Sequence, residues 1–125
     1  MSFDLAVWDS DIAVTNAEAD EIYAKLCEGQ PLAGLPSPAI QSFYTELIAK
    51  WPEIDTVAKE NLDDLDLCPW SCALYRSGRY VVMSCVWSRA EKVRAFVESL
   101  ANKHGLVQFN PQTGEASLPR SLNPD

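Results

Sequence analysis

The chain has 125 residues, 18 of them acidic and 10 basic, giving a net charge of −8. That length suits one domain spanning 1–125, and a hydrophobic content of 47% excludes a disordered chain. No run approaches the roughly 20 apolar residues that cross a bilayer, and the excess of negative charge opposes nucleic acid and anionic membranes, which both require basic surface.

The segment Ser2 to Trp8 alternates, with Phe3, Leu5 and Val7 on one face and Asp4, Ala6 and Trp8 on the other, which predicts a strand. Met1–Leu5 has no basic stretch and an acid at position four, so it does not read as a signal peptide. The expected compartment is the cytoplasm, where Cys27, Cys68, Cys72 and Cys85 stay reduced.

Thr15 and Glu18 have capping-box spacing, and Ala19, Ile22, Tyr23 and Leu26 form an apolar stripe ended by Gly29. Residues 29–38 read as a loop. Ser37–Pro38 opens a second helix, with Ile40, Phe43, Tyr44, Leu47, Ile48 and Trp51 on one face and Pro52 as its stop. Glu53 to Asp66 holds six acids and one lysine and is expected to be a loop with a short helical turn.

Cys72 to Trp87 reads as a hairpin turning at Ser77–Gly78, its second strand apolar on both faces and so central in a sheet. Ser88 and Glu91 suggest another capping box, opening a helix with Val93, Phe96, Val97, Leu100 and Ala101 inward and His104–Gly105 at its end. Leu106–Phe109 is a last strand, Asn110–Gly114 a turn, and 118–125 a loosely held tail.

The order βααββαβ predicts an α+β fold: a four-stranded mixed sheet with helices on one face, close to a ferredoxin-like arrangement. The unit from Tyr80 to Phe109 is expected to join parallel strands through a right-handed crossover.

Charge is unevenly distributed. Up to Asp66 there are 14 acids against three lysines; from Leu67 onward there are four acids and seven bases. Such asymmetry suggests a carboxylate-rich face for a basic partner, against the plainer reading of solubility.

The candidate chemistry is thin. Cys68 and Cys72 lie four apart, but the second closely spaced cysteine pair of a structural zinc site is missing. His104, the lone histidine, reads as a helix-end residue rather than an acid–base catalyst. Asp9–Asp11 and Asp63–Asp66 lack the EF-hand register. Phosphate-loop, dinucleotide and nucleophile-elbow patterns are also missing. No catalytic residue, metal or cofactor is expected. Trp8 and Trp87 are expected in the core, with Trp51 and Trp70 open between core and docking patch.

Three segments, Met1–Trp8, Val86–Glu91 and His104–Gln112, resemble a group of small acidic bacterial proteins that includes immunity proteins of contact-dependent and secreted toxin systems. The resemblance covers the first strand and the last third of the chain, and departs in the acidic middle. It implies a protein that plugs a cognate toxin domain of basic surface by steric occlusion and charge complementarity, without turnover. The residues expected to carry this are Glu60, Asp63, Asp64, Asp66 and Trp70. The alternatives are a small interaction or regulatory module, including a homodimer through sheet edges, and an enzyme or metal protein using His104 and the thiols.

Overall fold

The computed structural model describes residues 2–30, 32 and 34–119. It has strands β1 (Ser2–Trp8), β2 (Tyr75–Arg76), β3 (Tyr80–Val86), β4 (Val107–Asn110) and β5 (Glu115–Ser117), and helices α1 (Asn16–Cys27), α2 (Pro38–Lys50) and α3 (Ala90–Lys103). The α+β class is as expected.

The sheet differs from the expected one. It has five strands in the order β2-β3-β1-β4-β5, and every paired neighbour is antiparallel. Both β3 and β4 run antiparallel to β1, so they are parallel to each other. They are not paired with each other, because β1 lies between them. The crossover through α3 is thus a split βαβ unit, and β1 rather than β3 is the central strand. The fifth strand, Glu115–Ala116–Ser117, has none of the β-branched or aromatic residues that mark a strand; its pairing with β4 creates it.

Helices cover both faces, not one. Phe3, Leu5 and Val7 of β1 pack with Phe43, Leu47, Val93 and Val97 of α2 and α3. Ala6 and Trp8, pointing the other way, pack with Ala19 and Leu26 of α1 and with Phe109. The alternation in β1 is real, but both of its faces are apolar, and each needs a cover.

Local signals explain two of the three helix starts. Thr15 Oγ1 accepts from the Glu18 N–H while Glu18 Oε1 accepts from the Thr15 N–H, a complete capping box. At the other end Gly29 has φ +82°, and the Gln30 and Gly29 N–H groups donate to the carbonyls of Lys25 and Leu26. That is a Schellman closure, which favours glycine at this position. Ser37 Oγ accepts from Ile40 N–H ahead of Pro38. The third expectation fails: Ser88 lies inside a 3-10 turn, Trp87–Arg89, and α3 begins at Ala90 with Arg89 as an N-cap whose side chain caps nothing.

Beyond the end of β4, Gln112 extends the sheet with a side chain. Its amide accepts from Asp4 N–H at 2.7 Å and donates to the Asp4 carbonyl at 2.7 Å, as a strand backbone would. Of the expected tail, Leu118 packs on the α1 side and Pro119 is buried; residues 120–125 lie outside the described residues.

The four thiols divide by burial. Cys27 and Cys72 are exposed, whereas Cys68 and Cys85 are buried. Burial, with a smaller contribution from the Asp4 charge, pushes the Cys85 thiol up to about 11. A disulfide-exchange reagent at pH 8 is expected to titrate two thiols quickly in the native protein, the other two reacting only after denaturation. Four fast thiols would contradict this packing.

Candidate functional site

The acidic middle segment is built on short turns. Ile54–Thr56 and Lys59–Asn61 are single 3-10 turns, and Ile54 and Val57 pin the first against the α2–α3 core. Glu53 braces its root: one carboxylate oxygen accepts from Tyr44 Oη at 2.8 Å and the other from Leu74 N–H at 2.9 Å. Burial, then the Glu53 hydrogen bond, raises the Tyr44 phenol, whose ring carries the Arg76 guanidinium at 3.9 Å.

Glu60, Asp63, Asp64 and Asp66 are all exposed along this segment, but they are not equivalent. Asp64 is turned inward on its own backbone, where Oδ1 accepts from Asp66 N–H and Leu67 N–H. Asp66 reaches the start of α3, 3.1 Å from Arg89 Nε and 3.9 Å from Lys92 Nζ. Both pairs are solvent-exposed and hold little energy, though they fix which way the segment faces. Glu60 and Asp63 form no ion pair among the described residues.

Trp70 is not part of this surface. It is 2% exposed, its ring stands edge-on to Trp51, and its Nε1–H donates to the Trp51 carbonyl at 3.1 Å. A backbone bridge to Cys85 seats it against the end of β3. The exposed tryptophan is Trp87, expected in the core but 50% accessible, with its ring tilted against Phe3 at 5.4 Å. Chain reversal explains the exchange. β3 ends at Val86, and the 3-10 turn lifts the next residue off the sheet.

Six large apolar side chains are exposed among the described residues; two of them, Leu62 and Leu67, lie in or next to the acidic segment, and a third, Trp87, lies on the turn whose Arg89 pairs with Asp66. Leu62 and Leu67 flank the carboxylates in sequence, and Trp87 lies two residues before Arg89. Carboxylates interleaved with accessible apolar groups are the composition of a docking patch.

The acidic half does not form one continuous face. The acids of α1 ride on the helix covering the Trp8–Phe109 side of the sheet, while Glu60–Asp66 lie by the α2–α3 side. Within the patch, Arg89 and Lys92 offset part of the charge.

His104 sits where the sequence places it, at the C-cap of α3. Its Nε2 meets Glu46 Oε2 on α2, and Lys103 Nζ holds the other Glu46 oxygen at 2.6 Å. The Lys103 hydrogen bond, then that from His104, holds the Glu46 carboxyl below its usual range. This cluster fastens α2 to the end of α3. Among the described residues no three His, Cys, Asp or Glu side chains converge as metal ligands, and no helix is long and apolar enough to cross a membrane. Among the described residues two buried side-chain atoms lack a hydrogen-bond partner: Trp8 Nε1 and Gln108 Oε1.

Compared with protein-family models, curated proteins and solved structures, the chain matches none.

Proposed function

We propose that this chain is an immunity protein that binds a toxin domain of basic surface in the cytoplasm and blocks it by occupying its surface, without chemistry of its own. The observation that carries the reading is the exposed run in which Glu60, Asp63, Asp64 and Asp66 are interleaved with exposed Leu62 and Leu67, tied by the Asp66–Arg89 pair to the turn that bears the exposed Trp87. Carboxylates steer a cationic partner inward and set the association rate. Leu62, Leu67 and Trp87 then supply the desolvated anchors that slow dissociation. Trp70 contributes only by shaping the fold beneath.

The test is co-purification with the product of the adjacent gene, followed by kinetics on variants. Glu60→Lys with Asp63→Lys is expected to slow association at least tenfold and to flatten its salt dependence. Trp87→Ala is expected to speed dissociation and to cost about 2 kcal/mol of binding. Unchanged kinetics in both would reject this surface, and failure of the neighbouring product to bind at all would reject the immunity reading.

The homodimer alternative finds little edge to use. β2 has two residues and β5 three, and the Ala116 N–H on β5 already donates to Asn16 Oδ1 at 2.9 Å. Short, capped edges resist strand addition.

A further inference from the structure

Residues 9–28 carry six acids, Asp9, Asp11, Glu18, Asp20, Glu21 and Glu28, against one base, Lys25. None of the six forms an ion pair among the described residues. Where this stretch begins, a groove of about 330 Å³ opens between the loop after β1, helix α1 and Arg79 ahead of β3. Trp8, Ile22 and Leu32 make its apolar walls, and Ile12 also lines it. Leu35 adjoins, its carbonyl accepting from Arg79 Nη1 at 2.8 Å. Ile12 at 67% and Leu35 at 82% are the two most exposed large apolar side chains among the described residues.

The groove is framed before anything enters it. Arg79 Nη2 donates to the Asp9 carbonyl at 3.3 Å, and the Asp9 N–H donates to the Arg79 carbonyl at 3.2 Å. Ser37 Oγ donates to Asp9 Oδ2 at 2.6 Å. These contacts tie the loop after β1 to residues 35–37, so a partner need not order either. They also engage the Arg79 guanidinium with carbonyls and the Asp9 carboxylate with a hydroxyl. Asp11 is exposed and has no such engagement. With Arg79 counted, six acids still stand against two bases around the apolar walls.

From this we infer that the groove docks a basic segment of another protein. One apolar side chain of that segment enters between Trp8, Ile22 and Leu32, and its flanking lysines or arginines meet Asp11 and the acids of α1. Apolar openings rimmed by polar groups mark interaction sites, and this volume suits one side chain. Charge selects the occupant: unpaired carboxylates draw a cationic segment in and repel an acidic one. The inference goes beyond the proposed function. Trp8 and Ile22 belong to the core on the α1 side of the sheet, whereas Ile54 and Val57 root the acidic segment on the α2–α3 side, so either surface can fail its test alone.

The experiment is a titration of the isotopically labelled protein with the peptide amide acetyl-Lys-Lys-Leu-Lys-Lys, followed by NMR. Saturable shifts are expected at the methyl groups of Ile12 and Ile22 and at the Trp8 indole. Alanine in place of the peptide's leucine is expected to weaken binding about fivefold, the loss of most of one buried apolar side chain. Glutamate in place of its lysines should abolish binding. In the protein, Ile12→Ala changes an exposed loop residue; it should melt with the parent and bind the leucine peptide about threefold more weakly. Asp11→Lys, a second variant on the same loop, should weaken binding about threefold and flatten its salt dependence. Equal binding of the leucine and alanine peptides, saturable shifts confined to Glu60–Leu67, or undiminished binding in both variants would each overturn the proposal.

Discussion

Replacing Trp70 by alanine is expected to lower the unfolding free energy by about 3–5 kcal/mol, the range for emptying a large aromatic site in a core. The side chain is 2% exposed and meets Trp51, which in turn meets Phe96 of α3 at 5.1 Å. The cavity would open at the junction of α2, α3 and the end of β3. Small domains hold only about 5–15 kcal/mol in all, so the variant should be close to unfolded at 37 °C. Trp70→Phe separates the two contributions. It keeps most of the ring volume but leaves the Trp51 carbonyl without its donor, for about 1–3 kcal/mol. Urea unfolding followed by near-UV circular dichroism measures both. An alanine variant with an unchanged midpoint would place Trp70 outside the core.

The second large effect is expected at Glu53. Glu53→Ala removes a charged acceptor from two donors at once, Tyr44 Oη and Leu74 N–H, for an expected loss of about 2–3 kcal/mol. Glu53→Gln keeps one acceptor oxygen and should lose roughly half as much. The loss should be local as well as global. With its root released, the segment 54–66 is anchored mainly by Ile54, Val57 and the exposed Asp66–Arg89 contact. Limited proteolysis in that segment should accelerate in Glu53→Ala under conditions where Glu60→Lys with Asp63→Lys is as resistant as the parent. Equal resistance in Glu53→Ala would show that Glu53 does not brace the segment.

What could be seen in the sequence follows the range over which each signal acts. Thr15–Glu18, Ser37–Pro38 and Gly29 act within a few residues, and each forms as the spacing implies. The inward stripes of α2 and α3 are equally local and equally clear. Ser88–Glu91 has the same spacing as Thr15–Glu18 but follows β3 directly, and the exit from the strand claims Trp87–Arg89 for a tighter turn. Insertion of β1 between β3 and β4 is a long-range choice that no short pattern encodes. The position of α1 runs against the one-faced arrangement that the element order predicts, although Ala6 and Trp8 make the second face of β1 apolar as well. For the candidate surface, the exposed carboxylates were readable from composition. The roles of Asp64 and Asp66 were not, since one depends on turn geometry and the other on Arg89. The two tryptophans changed places because burial depends on where a strand stops, which periodicity locates poorly. Gln108 gave no signal at all: a single polar residue in a short strand looks like an outward position until its partners are known.

The threading of β1 through the middle of the sheet sets how this molecule must assemble. Its partners lie far downstream, with Ser2 opposite Val86 and Trp8 opposite Val107. The first of these five strands in chain order therefore gains its partners last. Helices α1 and α2 can form while they wait, but neither side of β1 is satisfied until most of the chain exists, so closing long loops should govern the folding rate. During synthesis Leu5 and Val7 stand in an open strand, and aggregation is most dangerous then, before β4 arrives.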